Sequence, residues 1–190
     1  MSAKTVLVTG CTSGLGKATA LRLNKAGWRV LATARNDSDL KSLGEAGLIP
    51  IRLELTDPQS IREAIEEVKR VTGGHLHGLV NNAGYLLFGA VADLSPFALR
   101  EQFEVNVFGT FELTRGLLPE LRDQTGAIVF ISSICGRFSF PFLGAYSASK
   151  YALEALVDAL RRENAGNGLR VQIIEPSVFK TASSARTRAL

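Results

Sequence analysis

The stretch TVLVTGCTSGLGKAT (residues 5–19) decides the fold, because a short apolar strand pattern runs directly into a glycine-rich turn and then into a helix pattern. Glycines in such a turn permit a tight bend and let an anionic group approach backbone N–H groups. The positive end of the helix dipole adds to that attraction. The turn therefore predicts a site for the pyrophosphate of a dinucleotide, although a turn that only packs is the alternative. The predicted contacts are Gly10, Thr12, Ser13, Gly14, Leu15 and Gly16.

Short apolar runs rich in β-branched residues alternate with longer stretches of helical period along the rest of the chain. This alternation predicts a parallel sheet, and right-handed crossovers place helices on both of its faces. Asp57 and Ser95 each precede a proline and predict helix starts, while Gly27 and Gly73 predict helix ends. We therefore expect a doubly wound α/β sheet, the Rossmann fold, with its ligand site at the carboxyl ends of the strands. The six predicted strands cover residues 5–9, 29–33, 49–55, 79–80, 127–131 and 169–174.

The composition argues against several classes of protein. A chain of 190 residues with 46% hydrophobic content can close one core, so we expect a single domain over residues 1–190. Basic residues outnumber acidic ones by 22 to 18 but are interspersed, so no nucleic-acid partner is expected. With two cysteines and two histidines, no disulfide framework or metal site is predicted. The first apolar run is too short for a signal peptide or a membrane span, which predicts a soluble, cytoplasmic protein.

The end of the second predicted strand indicates which dinucleotide is bound. The sequence there reads Thr33-Ala-Arg35, where an NAD enzyme usually places an acidic residue for the ribose 2′-hydroxyl. An arginine suits a 2′-phosphate instead, because its guanidinium can donate two parallel hydrogen bonds. We therefore predict NADP as the cofactor, with a solvated surface cation as the alternative for Arg35. Glu54 and Leu55, after the third strand, are expected to border the adenine.

Tyr146 and Lys150 lie four residues apart at the start of a helical pattern, so both side chains project from one face. A tyrosine that exchanges protons near neutrality needs its pKa of about 10 lowered by about three units. One ammonium about 4 Å away contributes roughly 4 kcal/mol at an effective dielectric of 20, which is nearly sufficient. Ser133, after the fifth strand, is placed to donate a hydrogen bond to a substrate oxygen. By itself this pair is weak evidence, because Tyr and Lys are often found four apart on helices.

Taken together, the motifs resemble those of the short-chain dehydrogenases/reductases. A TGxxxGxG turn at residues 9–16, NNAG at 81–84, Asn106, Ser133 and YxxxK at 146–150 occur in the order of that family and cover nearly the whole chain. The resemblance implies that Tyr146 is the proton donor and that Ser133 orients the substrate oxygen. It implies that Lys150 lowers the pKa of Tyr146 and binds the nicotinamide ribose, and that Asn106 holds a relay water.

The resemblance also implies further cofactor contacts. Residues of the NNAG segment would line the adenine-side ribose and support the central sheet, and the ends of the family's PGxxxT segment match residues 176 and 181. Tyr146 and Lys150 would contact the cofactor as well. The remaining implied contacts are Asn82, Ala83, Gly84, Pro176, Val178 and Thr181.

Two departures from the family pattern bear on activity. Ser177 stands where the family has a glycine that lets backbone approach the nicotinamide. The chain ends soon after Thr181, so we expect the substrate lid and the seventh strand to be absent. An open pocket can retain cofactor binding and lose catalysis, which makes a catalytically silent NADP-binding or scaffold protein the alternative to an enzyme. An epimerase or dehydratase of the extended branch is disfavoured by the glycine spacing and the length.

The expected reaction is hydride transfer between NADP(H) and a carbonyl or alcohol, with reduction as the favoured direction. Apolar residues near the site predict an aldehyde or ketone of apolar character, although packing explains them equally well. Helices over residues 96–118 and 146–164 resemble those that pair between family subunits, so a homodimer or homotetramer is expected. The apolar residues are Leu86, Leu87, Phe88, Phe138, Phe140, Phe142 and Leu143.

Overall fold

A computed structural model describes residues 3–177 and 188–189. Its main sheet has six parallel strands in the order β3-β2-β1-β4-β6-β7. The strand order reverses between β1 and β4, which is where a doubly wound sheet binds its ligand. A short parallel pair, β5 (Leu87–Phe88) with β8 (Arg188–Ala189), lies outside that sheet. The six main strands are β1 (Thr5–Val8), β2 (Arg29–Ala34), β3 (Ile49–Arg52), β4 (Gly78–Asn81), β6 (Ala127–Ile131) and β7 (Arg170–Ile174).

Helices connect the strands, and the helix starts predicted at Asp57 and Ser95 and the helix ends predicted at Gly27 and Gly73 agree with the structure. The Asp57 side chain accepts a hydrogen bond from the N–H of Gln59, and Ser95 accepts one from Ala98. Gly73 ends the third helix with a φ of 61°. A π-helical turn (Glu104–Gly109) joins α4 to α5, and 3-10 turns cover Val91–Asp93 and Ile134–Gly136. The helices are α1 (Gly14–Lys25), α2 (Asp37–Glu45), α3 (Pro58–Thr72), α4 (Pro96–Phe103), α5 (Thr110–Asp123) and α6 (Gly144–Glu163).

Alternate residues of the strands build a core on each face of the sheet, because successive strand side chains point to opposite faces. Helices α3, α5 and α6 cover one face, where Leu7, Leu31 and Phe130 are fully buried. Helices α1 and α2 cover the other face, where Val8 and Ala32 are fully buried. The doubly wound α/β fold predicted from the sequence is therefore confirmed.

Two predicted elements have a boundary that differs from the structure by more than two residues. The third strand ends at Arg52 instead of Leu55, because the next residues turn away from the sheet and the Leu55 carbonyl packs against Gly109. The helix predicted over residues 96–118 is interrupted by the π-helical turn and then continues through Pro119 to Asp123. A proline removes one helical hydrogen bond, and here the buried Leu117 and Leu121 on either side hold the helix in place.

The second face of the sheet is less covered near β7, the edge strand. Ile174 is 50% exposed within the described part of the chain. Residues 178–187 and 190 lie outside that part. Across residues 3–177 and 188–189, no helix combines the length and the apolar character needed to span a membrane.

Candidate active site

The glycine turn after β1 packs directly against the NNAG segment after β4. Gly10 has a φ of +70°, and a Cβ there would lie 2.9 Å from the Cα of Ala83. A Cβ on Gly16 would lie 2.2 Å from the carbonyl oxygen of Gly10. Asn82 Nδ2 donates to the carbonyls of Thr9 and Gly10 at 2.8 and 3.2 Å. The glycines are thus required by close packing, and the two predicted cofactor segments meet at the point where the strand order reverses.

Thr9 is a site residue that the sequence reasoning missed. It is 1% exposed, and its hydroxyl accepts hydrogen bonds from the N–H groups of Asn82 and Ala83 at 3.0 and 2.9 Å. Thr33 is a second one, because its hydroxyl accepts from the N–H of Gly10 at 3.0 Å. Both threonines lie at the ends of strands next to the glycine turn. That position in the sequence could have indicated that their hydroxyls contact the turn. Together they fix the backbone of the turn from two sides.

The N-terminus of α1 is open to an anion. Its N-cap residue, Ser13, makes no side-chain capping bond, and no acidic residue lies in the first turn. By contrast, Asn36 caps α2 with its own side chain. The first N–H groups of a helix lack partners within the helix, and the helix dipole favours negative charge there. The turn therefore fits the pyrophosphate of a dinucleotide, with Thr12, Ser13 and Leu15 half-buried along it.

Arg35 lies at the end of β2 with its side chain 68% exposed. Its Nη1 is 3.5 Å from Glu54 Oε2, a long ion pair that leaves most of the guanidinium accessible. Arg52, which the sequence reasoning missed, donates to the Arg35 carbonyl at 2.7 Å and pairs with Asp37. The pairing of Ala34 with Arg52 in neighbouring strands brings these groups together. An accessible arginine beside a fixed backbone is a suitable ligand for a phosphate.

Leu55 and Glu54 differ in their surroundings. Leu55 is 6% exposed and belongs to the core on the α3 face. Glu54 stays half-buried, accepts from the N–H of Thr56 at 3.1 Å, and donates its own N–H to Ser60 at 2.9 Å. The loop after β3 is therefore internally fixed, and adenine contacts of Glu54 and Leu55 stay predictions.

Ser133, Tyr146 and Lys150 come together at the carboxyl end of β6. Ser133 caps the turn after β6 by accepting from the N–H of Cys135 at 3.1 Å, and Tyr146 lies in the first turn of α6. Burial raises the pKa of Tyr146, while its hydrogen bond with Ser133 lowers it in part. The net direction is upward, opposite to the expected lowering, so the phenol is protonated at neutral pH. The lowering of the Tyr146 pKa by Lys150 that the sequence predicted stays a prediction, since burial dominates here.

Lys150 is deeply buried beside Tyr146. Its side-chain nitrogen donates to the carbonyl of Ile131 at 2.8 Å and lies 5.7 Å from the centroid of the Tyr146 ring. Burial lowers the pKa of Lys150 to about 8, against the opposing effects of Glu154 and Cys135. The lysine therefore stays mainly protonated at neutral pH, and a cation stands directly behind the tyrosine.

Asn106 lies in the π-helical turn and fixes the segment after NNAG. Its Oδ1 accepts from the N–H of Tyr85, and its Nδ2 donates to the Tyr85 carbonyl and the Ser149 hydroxyl, each at 3.1 Å. Gln102, which was not predicted as a site residue, donates its side-chain N–H to the Tyr85 carbonyl and accepts a hydrogen bond from the N–H of Leu87. Both the oxygen and the nitrogen of the Asn106 side chain therefore already have protein partners. The relay water predicted on this residue stays a prediction.

Gly84 and Pro176 are two further predicted contacts that the structure describes. Gly84 is exposed, and a Cβ there would lie 3.0 Å from Asn106 Oδ1. The carbonyl of Pro176 accepts from the N–H of Ile134 at 3.1 Å, which ties the end of β7 to the turn that carries Ser133. Val178 and Thr181 lie outside the described residues.

Comparison with known proteins agrees with this geometry. A family model described as short chain dehydrogenase matches residues 4–189. The chain belongs to this family. The uncharacterized oxidoreductase YbbO of Escherichia coli (strain K12) is 41% identical, over 94% of this chain and 66% of its own length. The 11-beta-hydroxysteroid dehydrogenase type 2 of Homo sapiens is 42% identical, over 96% of this chain and 47% of its own length.

A solved structure of this family is similar in its fold. The actinorhodin polyketide ketoreductase, solved with NADPH, has a TM-score of 0.89 and 33% sequence identity, covering 97% of this chain and 74% of that one. This short-chain dehydrogenase chain spans about half to two thirds of the length of the two curated relatives above.

Proposed function

We propose that this chain binds NADP(H) and takes part in the reduction of an apolar aldehyde or ketone to the alcohol. The observation that carries the proposal is the meeting of Ser133, Tyr146 and Lys150 at the same sheet edge as the open N-terminus of α1. The turn after β1 and Arg35 would hold NADPH, which when bound would supply the hydride that the carbonyl carbon accepts.

The residues of the chain then complete the reaction at the substrate oxygen. The Ser133 hydroxyl holds that oxygen, and the Tyr146 phenol gives it a proton as the carbonyl becomes an alcohol. Burial keeps the pKa of Tyr146 high and the phenol protonated, which is the state that reduction requires. The Lys150 ammonium stabilises the phenolate left behind, because opposite charges attract strongly in a buried site.

Aromatic side chains of β5 and of the loop that leads into α6 support an apolar substrate. Phe88 and Phe142 stack with ring centroids 5.6 Å apart, and the N–H of Gly89 donates to the Phe142 carbonyl at 2.9 Å. Phe138 and Phe140 are 67% and 44% exposed in the same loop. The human relative is named for a hydroxysteroid, which is a large apolar alcohol. An apolar wall of this kind favours lipophilic carbonyl compounds over small polar ones.

The test of the proposed function is NADPH oxidation by the chain in the presence of apolar aldehydes and ketones, with alcohol measured as the product. NADPH-dependent formation of the alcohol supports the proposal that the chain is an enzyme. Cofactor binding without turnover across the panel supports the alternative, a catalytically silent NADP-binding or scaffold protein.

Replacing Arg35 by alanine is expected to separate NADPH from NADH. A charge-assisted hydrogen bond contributes about 1.5–3 kcal/mol, so the Kd for NADPH should rise about tenfold to a hundredfold while the Kd for NADH stays nearly the same. Fluorescence titration with both cofactors measures this ratio. Lys41→Ala, which removes an exposed cation from the nearby α2, is the matched control. An equal loss for both cofactors would show that Arg35 does not read the 2′-phosphate.

We also propose that the chain self-associates through α5 and α6. Phe108 and Leu156 are 54% and 42% exposed and line one groove together with Phe111 and Leu118. Leu156→Glu should therefore convert the homo-oligomer to a monomer in light-scattering measurements, because a charge in an apolar interface is costly. Leu21→Glu, on α1 outside the groove, is the control. A monomeric wild-type chain would contradict the proposal.

A further inference from the structure

One buried carboxylate near Lys150 has no part in the proposed reaction. Glu154 follows Lys150 by one turn of α6, and its side chain is 6% exposed. Among the described residues, neither of its oxygens accepts a hydrogen bond. A buried carboxylate is costly unless cations balance it. The cations beside Glu154 are Lys150 on its own helix and Arg137 from the turn after β6.

Arg137 holds Glu154 from the solvent side. Its Nη2 lies 3.1 Å from Glu154 Oε2 and 2.9 Å from Glu175 Oε1, and its Nε also donates to Glu175 at 3.1 Å. Glu175 directly precedes Pro176 at the end of β7. The guanidinium therefore ties α6 to the end of β7 and sets where the Glu154 carboxylate lies.

Close packing encloses Glu154 on another side. A Cβ on Gly136 would lie 3.0 Å from Glu154 Cγ and 2.9 Å from the Ser132 hydroxyl oxygen. The Ser132 hydroxyl is buried and has no hydrogen-bond partner in the described part of the chain. The carboxylate is thus confined between Gly136, Ser132 and Arg137, one helical turn after the buried Lys150 and on the same face of α6.

Lys150 needs such support to remain charged. Its deep burial favours the neutral amine, whereas the reaction uses the ammonium. We propose that Glu154 is a positioning residue that keeps Lys150 in the ammonium form and that Arg137 regulates how much of the Glu154 charge acts on the lysine. This inference rests on the role of Lys150 in the proposed function. The other titratable or charged groups around the three residues are Cys135, Tyr146, Asp158 and Glu175.

The test is the titration of Lys150 by NMR in protein labelled with ¹³C-lysine, with the Lys150 signal identified by its loss in Lys150→Met. In Glu154→Gln the pKa of Lys150 should fall from about 8 by at least about one unit, a tenfold loss of proton affinity. In Arg137→Met it should rise above the wild-type value, because the Glu154 charge is then no longer shared with the guanidinium. If Glu154 and Arg137 had a purely structural role, the two variants would not shift the Lys150 pKa in opposite directions.

Glu120→Gln is the matched control, because Glu120 also has a buried oxygen without a hydrogen-bond partner and pairs with Lys69 at 3.1 Å. It should leave the Lys150 titration unchanged. An unchanged titration in both test variants, or shifts in the same direction, would overturn the proposal. If Glu154→Gln does not fold, Arg137→Met decides alone, and a missing rise of the Lys150 pKa contradicts the proposal.

The same variants distinguish this inference from the proposed function, because the titration needs no turnover. In an active chain, kcat of Glu154→Gln should fall about twofold at pH 7 and about fivefold at pH 8 relative to wild type, and recover at lower pH, because the ammonium fraction of Lys150 falls by these factors when its pKa drops from about 8 by one unit. No turnover in the wild-type chain would overturn the proposed function, whereas the Lys150 titrations would still decide whether Glu154 and Arg137 act on the lysine.

Discussion

Replacing Tyr146 by phenylalanine is expected to abolish carbonyl reduction while the chain still binds NADPH. The change removes one hydroxyl and leaves the ring in its place beside Lys150. A positioned general acid contributes about 10²–10⁴-fold to a rate, so kcat should fall by at least about a hundredfold. Steady-state NADPH oxidation gives the rate, and fluorescence titration gives the Kd of NADPH.

The control for this variant is Tyr151→Phe. Tyr151 is the next tyrosine on α6, is 47% exposed, and donates its hydroxyl proton to the Arg137 carbonyl. The Tyr151→Phe variant also loses one phenolic oxygen, but from a residue outside the catalytic group, so it should keep most of the wild-type rate. Wild-type turnover in Tyr146→Phe would show that another group gives the proton.

The pH dependence of reduction follows from the state of the same phenol. The pKa of Tyr146 is raised by burial, so the proton-donating form persists through neutral pH. The rate of reduction should fall in two stages as the pH rises: first through the Lys150 pKa of about 8, which removes the ammonium, and then through the raised Tyr146 pKa, which removes the proton donor. Oxidation of the alcohol needs the phenolate and should show the opposite trend.

Replacing Gly16 by alanine is expected to destabilise the chain and to abolish NADPH binding. The added Cβ would lie 2.2 Å from the Gly10 carbonyl oxygen and 2.3 Å from Asn82 Nδ2, so both segments would have to move apart. Overpacking of this kind costs about 1–3 kcal/mol of unfolding free energy. Urea unfolding measures the stability, and titration measures cofactor affinity.

Gly44→Ala is the matched control because nothing lies within 4 Å of a Cβ there. Gly44 lies within α2, where alanine should stabilise the helix by about 0.5–1 kcal/mol relative to glycine. Equal stability changes in the two variants would contradict the account of the glycine turn.

The sequence predicted the parts of the fold that depend on local pattern. The strand-turn-helix at residues 5–19 and the caps at Asp57 and Ser95 all rest on neighbouring residues, and the structure contains them. Hydrogen bonds between distant residues were not predictable in this way. The Thr9 hydroxyl accepts a hydrogen bond from the N–H of Asn82, which is 73 residues away in the sequence, and no periodicity indicates such a contact.

The π-helical turn was missed for the same reason. A Cβ on Gly109 would lie 2.0 Å from the Leu55 carbonyl oxygen, so this part of the helix is set by a loop that is distant in the sequence. The direction of the Tyr146 pKa was likewise not predictable. The spacing to Lys150 is visible in the sequence, whereas the burial that dominates the pKa of Tyr146 is a property of the folded chain.

The most direct test of the central claim is transfer of deuterium from NADPH that is labelled on the reactive face of its nicotinamide. The chain is incubated with the labelled cofactor and an apolar aldehyde or ketone, and the product is analysed by mass spectrometry. We predict an alcohol with one deuterium on the former carbonyl carbon, formed in proportion to the NADPH consumed and absent with Tyr146→Phe. Binding of NADPH without any labelled alcohol across the panel of carbonyl compounds would contradict the claim.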